Sequence, residues 1–213
     1  MASITTVHVR RAIERVANAL AEHKDHLTEL DQAMGDGDLG ITAGKMAAAL
    51  RTYVEGEPSD DVGSYVAQAG MALNRAASSS LGTLLATALM RAGKEVKGKS
   101  EVTPEDLAQM LRAADAGIQE RGKAKPGDKT IIDVARPASE AFATAAAEGD
   151  DLAAAAGRML AAARRGRDEV TPLRSKIGRA GWIGERTAGL IDPGCEAGLI
   201  ILSAIADQPK EET

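Results

Sequence analysis

The sequence predicts an all-α protein: an antiparallel bundle of about eight helices, forming a single domain over residues 1–213. Three observations predict it. Apolar residues recur at helical spacing along nearly the whole chain, with no convincing strand-like alternation. Hydrophobic residues make up 44% of the sequence but aromatics only 2%. The core must therefore be built of Ala, Leu, Ile, Val and Met. Alanine is the best helix former, whereas strands lean on branched and aromatic residues. The stretches between periodic segments are mostly short and show no break in composition, which implies antiparallel neighbours within one domain.

The first helix is expected over residues 6–23. Val9, Ile13, Val16, Ala17 and Leu20 share one face, and Arg10, Arg11, Glu14 and Arg15 lie between them. It delivers its end to Asp31. A second helix covers 41–53, where Ala47, Ala48 and Ala49 allow close approach. After a loop at Gly56, a third runs over 61–77 and a fourth over 84–96, joined by residues 78–83. Thr103 as N-cap, Pro104 in the first turn and Asp106 three residues on open a fifth helix that ends near Gly122. Pro126 and Gly127 mark a turn, and Thr130 to Asp133 reads as a capping arrangement opening a sixth helix to about residue 147. A seventh, alanine-rich helix starts at Asp151. Residues 178–191 hold too many glycines for a helix and no strand alternation, so they read as a long loop. Asp192 as N-cap, Pro193 at the first position and Gly194 then start the last helix, whose apolar run reaches Ala206. Residues 208–213 form a polar tail.

Chemistry concentrates in residues 30–42, where Asp31, Asp36 and Asp38 fall within eight positions and are interleaved with glycines. Gly37 can take positive φ at little cost, so the flanking carboxylates can converge. Three hard oxygen donors suit Mg²⁺, which completes its shell with water and phosphate oxygens. The same residues also read as a solvated acidic turn, and the pattern is not that of a calcium EF-hand loop. Residues 78–83 offer small hydroxyl side chains before a helix start, where anions are favoured; taken alone, they read more readily as a plain helix junction with a serine cap. In residues 178–191 the only tryptophan, Trp182, stands between Arg179 and Arg186. Two readings are open there: a surface loop with Trp182 packed on the core, or a lid whose guanidinium groups suit phosphate. In an up-down bundle every second connection lies at the same end. All four of these stretches (31–40, 78–83, 123–130 and 178–192) are odd-numbered connections, while those at Gly56, Gly98 and Gly149 look plain.

Residues 30–42 resemble the metal-binding turn of the nucleotide-binding subunit of two-component dihydroxyacetone kinases. The resemblance continues through Arg-Gly-Lys-Ala-Lys-Pro-Gly-Asp-Lys-Thr at 121–130, Gly-Arg-Ala-Gly-Trp-Ile-Gly-Glu-Arg at 178–186 and Asp-Pro-Gly at 192–194. It implies an eight-helix antiparallel barrel with nucleotide at one end. It implies Mg²⁺, as two ions bridged through the phosphates, on Asp31, Asp36 and Asp38. It implies ADP or ATP contacts at Leu39, Gly40, Ile41, Thr42, Ser80, Leu81, Gly122, Ile131, Arg179, Asp192, Pro193 and Gly194. Leu39 and Leu81 depart from the histidine and serine usual in the family, so only backbone contacts carry over there. The catalytic side chains stay unassigned.

The resemblance also implies a division of labour. This chain would carry the nucleotide for phosphoryl transfer, and a separate subunit would hold dihydroxyacetone or a related short-chain ketose such as erythrulose. Phosphate would come from exchangeable ATP or from a phosphotransferase-system donor subunit, and a homodimer stays open. Rivals are a non-catalytic nucleotide sensor that binds a transcription regulator, a fatty acid kinase-like nucleotide domain, and a helical lipid carrier. The net charge of −5 argues against a nucleic-acid partner. The single cysteine, Cys195, suits a reducing cytoplasm. No apolar run approaches a membrane span, and the N-terminus lacks a signal-peptide core.

Overall fold

The computed structural model describes residues 3–207, apart from the side chain of Arg179; the expected polar tail lies outside the described residues. The described residues hold ten α-helices rather than about eight: α1 (Thr6–Glu22), α2 (Lys24–Met34), α3 (Leu39–Val54), α4 (Val62–Ala76), α5 (Ser80–Glu95), α6 (Pro104–Gly122), α7 (Ile132–Glu148), α8 (Leu152–Val170), α9 (Gly178–Ile183) and α10 (Pro193–Ala206). A 3₁₀ turn, Gly184–Thr187, follows α9.

The two extra helices have physical causes. The first predicted helix runs on past its expected end but is interrupted at His23, whose ψ of 8° bends the axis. Helical bonding bridges the bend, with His23 N donating to Ala19 O and Leu27 N to His23 O. The bend lets α2 pack on α3 and α10. The expected loop at 178–191 contains α9 because its glycines stand mainly at the ends. Gly178 and Gly184 take φ of 67° and 64°, leaving only Gly181 inside the helical turn. The absence of strands is corrected as well: β1 (Ile4–Thr5) pairs antiparallel with β2 (Glu101–Val102), a ladder too short to leave an alternating pattern. Helix α5 begins at Ser80, earlier than expected, because Ser79 caps it by accepting from Gly82 N at 3.1 Å.

The long helices pack in the order α1, α3, α4, α5, α6, α7, α8 and α10, and α10 packs back on α1, so the contacts close into a ring. Small residues permit this closeness. A side chain at Gly93 would overlap the carbonyl oxygen of Gly63, and one at Gly63 would overlap that of Gly93, so α4 and α5 touch backbone to backbone. Pro137, inside α7, has no N–H to give the carbonyl of Asp133. Gly166 of α8 sits directly against that carbonyl, where any side chain would collide. The core between the helices is mostly aliphatic, including Leu20, Leu27, Met46, Leu73 and Ile132 in one cluster. Phe142 is the sole phenylalanine in a second.

Candidate functional site

The acidic turn is built by its helices. Asp31 stands on the last turns of α2, and its Oδ2 accepts from Leu39 N at 3.1 Å. It thereby caps α3, whose own N-cap residue, Asp38, makes no side-chain cap bond. Gly35 leaves room for this: a Cβ there would stand 2.5 Å from Asp31 Oδ1. Gly37 turns the chain at φ 76°. The result brings one carboxylate oxygen each from Asp31, Asp36 and Asp38 within 4.8 Å of one another. That donor set fits a hard divalent cation such as Mg²⁺.

The turn forms one wall of a cleft of about 1060 Å³. All four of the singled-out connections line it. Leu39, Ile41 and Thr42 extend the acidic turn along the cleft, and Ser80, Leu81, Gly122, Ile131, Asp192, Pro193 and Gly194 also line it. Gly40 is the exception: it faces α2, where a side chain would collide with Thr28 and the carbonyl of Lys24. Arg179 lies in α9, and its side chain is outside what is described. Leu39 and Leu81 both line the cleft and belong to the core cluster beneath it.

Helices α3, α5, α7 and α10 all begin at this cleft, so four positive dipole ends converge on it. Two of the caps are local: Ser79 for α5 and Asp192 for α10, whose Oδ1 accepts from Cys195 N at 2.8 Å; Asp133, in the first turn of α7, ties down the preceding loop, its Oδ2 accepting from Thr130 N at 2.8 Å. Burial pushes the Asp192 carboxyl up to about 6, against the pull of its cap bond to Cys195 and of Lys129. Burial likewise raises the Cys195 thiol, whose Sγ donates to Thr130 O at 3.0 Å.

Sequence reasoning left three cationic lining residues unassigned: Lys45, Arg121 and Lys129. Lys45 was findable, since it follows Ile41 by four residues and so shares its helix face. Lys129 had no local signal. It is only 1% exposed, and its Nζ donates to the carbonyls of Thr171 (2.9 Å), Leu173 (2.8 Å) and Thr187 (2.6 Å). Burial lowers its pKa, with Asp192 opposing. All three protons are spent on carbonyls, so it braces the wall rather than reaching a ligand. His8, His23 and His26 stand elsewhere: His8 caps α1, His23 bonds Ala19 O, and His26 faces Glu196.

The sequence profile of the DAK2 domain matches residues 33–207. The ADP-binding subunit DhaL of the PEP-dependent dihydroxyacetone kinase of Escherichia coli is 26% identical over 209 residues, covering 98% of this chain and 100% of that one. The corresponding subunit of kinase 2 of Listeria innocua is 31% identical over 199 residues, covering 90% and 89%. The native dihydroxyacetone kinase of C. freundii superposes with a TM-score of 0.73 at 26% identity, over 95% of this chain and 34% of that one. Its complex with AMP-PNP and Mg²⁺ gives 0.71 at 24%, a likeness of fold. This chain thus spans about a third of that enzyme.

Proposed function

The chain belongs to the DAK2-domain family, and on that premise we propose that it is the ADP- and ATP-binding subunit of a dihydroxyacetone kinase. It is a phosphotransferase component acting on an alcohol group. The acceptor is dihydroxyacetone or a related short-chain ketose such as erythrulose, held on a separate substrate-binding subunit. On this reading residues 1–213 form one domain, the ring of packed helices is the family's eight-helix barrel, and the setting is cytoplasmic. The observation that carries it is the convergence of four helix N-termini and three carboxylates on one cleft.

Asp31, Asp36 and Asp38 would hold Mg²⁺, two ions on the family reading, and the bound metal would neutralise phosphate charge and polarise the terminal phosphoryl group. The chain's own groups do the rest. Backbone N–H groups at the starts of α3 and α5 donate to the phosphate oxygens, with the Ser80 hydroxyl beside them. Lys45 adds a positive charge on the α3 wall. Gly122, Ile131 and the turn from Asp192 to Gly194 flank the nucleoside, with Arg179 at the phosphates or ribose. The chain has neither a Walker loop nor a kinase-type glycine loop, so positioning falls to the metal and the helix ends. Phosphate arrives by exchange of ATP or by a phosphotransferase-system donor that recharges bound ADP.

Calorimetry tests this reading. ADP should bind in Mg²⁺ and lose most of its affinity in excess EDTA. Asp36→Ala or Asp38→Ala should weaken binding by about 10- to 100-fold or more, the scale of charge-assisted contacts, with helix content unchanged. Equal affinity with and without EDTA would remove the metal bridge from the proposal.

A further inference from the structure

Trp182 is 95% exposed, although it is the only tryptophan in a chain with almost no aromatic surface to spare. It neither packs on the core nor lines the cleft. Ala180 of the same short helix does line the cleft. Two residues further on a helix is about 200° around the axis, so Trp182 points away from the ligand space and into solvent. The segment that carries it is tied at its base. Ser175 N donates to Thr187 Oγ1 at 2.8 Å, Lys129 Nζ to Thr187 O, Lys176 N to Asp128 O and Gly189 N to Thr171 O. A braced loop therefore presents a large apolar side chain beside the cleft, with Leu173 and Leu190 partly exposed on the same segment.

We propose that Trp182 is the anchor by which this chain docks the substrate-bearing subunit. This rests on the reading given under Proposed function. The second reactant must approach the terminal phosphate, and α9 stands at the cleft it must enter. Exposed tryptophans on preorganised elements are the residues that dominate association energies once a partner pocket covers them. Charge selects the partner's chemistry. Residues 171–191 carry four basic side chains, Arg174, Lys176, Arg179 and Arg186, against the single acid Glu185, an excess that survives the pairing of Arg174 with Glu185 and of Lys176 with Asp128, in a chain whose net charge is −5. The matching surface is an apolar pocket rimmed by carboxylates on the subunit that holds the ketose.

The test uses the full chain, Mg·ATP and the cognate substrate-binding subunit loaded with dihydroxyacetone. Trp182→Ala should raise the half-saturating concentration of that subunit by about tenfold or more. The saturated rate and the affinity for Mg·ADP should stay within about twofold, and Trp182→Phe should recover part of the loss. The emission of Trp182 should remain that of a solvated indole when Mg·ADP is added to the chain alone. An unchanged half-saturating concentration overturns the docking role while leaving the kinase reading intact. Weakened Mg·ADP binding in Trp182→Ala overturns it in favour of a lid over the nucleotide. Absence of turnover by the wild-type pair defeats the kinase reading and the docking role together.

Discussion

Asp192 shows how one residue can serve a helix end at a pH-dependent cost. Its carboxyl caps α10, yet burial holds it up at about 6 instead of the usual 3.8. Between those values the folded state keeps a proton that the unfolded state has lost. Stability therefore falls as pH rises from about 4 to about 6, and levels off above. Asparagine caps as well and carries no charge. Asp192→Asn should thus match the wild type near pH 4 and gain on it by on the order of 2–3 kcal/mol by pH 6.5. Urea midpoints at the two pH values measure this, and a difference that does not grow with pH would count against the buried-acid account. Asp61 and Asp106, both held below the usual range, give slopes of the opposite sign at lower pH, so only the variant-minus-wild-type difference isolates Asp192. The same residue scale explains what the sequence revealed of the site. Asp31, Asp36 and Asp38 were legible because they are neighbours in sequence. Lys129 was not, because its three acceptors come from residues 42 to 58 positions downstream, and no local pattern marks a lysine committed to distant carbonyls.

Helix packing turns on where the glycines lie, and identical substitutions should act with opposite sign. Gly93→Ala drives a methyl into the Gly63 carbonyl across the α4–α5 contact. It should destabilise by about 1–3 kcal/mol, the cost of overpacking. Gly157→Ala, within α8 and with nothing near its missing Cβ, should stabilise by about 0.5–1 kcal/mol by restoring helix propensity. Thermal melts of the two variants check the pair together; destabilisation by both would show that propensity and packing have been misassigned. The elements themselves were largely legible, since the caps at Thr103 and Asp192 follow composition rules and appear where expected. Three features escaped. The bend at His23 has no glycine or proline to announce it. The six residues of α9 hide among glycines that mostly mark its ends. The Gly63–Gly93 contact joins residues thirty apart, which periodicity does not report.

Over the whole molecule, chemistry and plain connection are segregated to opposite ends of the helices. The cleft takes its walls from the connections preceding α3, α5, α7 and α10, while the connections at Gly56, Gly98 and Gly149 contribute nothing to it. The proposed division of labour between two subunits is in keeping with what this end contains. None of the three histidines lines the cleft. Cys195 is buried with its thiol raised, and the Lys129 ammonium is fully engaged. On the proposed reading the cleft holds the phosphates, and it offers neither a histidine nor a thiolate to fix a carbonyl substrate. The chain alone, with Mg·ATP and dihydroxyacetone, should give no sugar phosphate above the uncatalysed background. Adding the cognate substrate-binding subunit should start transfer at once, with a rate that saturates in that subunit. Inserting a short glycine-serine segment at Gly149, far from the cleft, should leave that rate within about twofold, because a modest lengthening of an exposed loop costs little. The same insertion after Gly178 should abolish it while α10 and the rest of the ring stay folded. Turnover by the isolated chain would mean that the cleft holds the acceptor as well as the donor, and equal damage from both insertions would mean that the two ends are not functionally distinct.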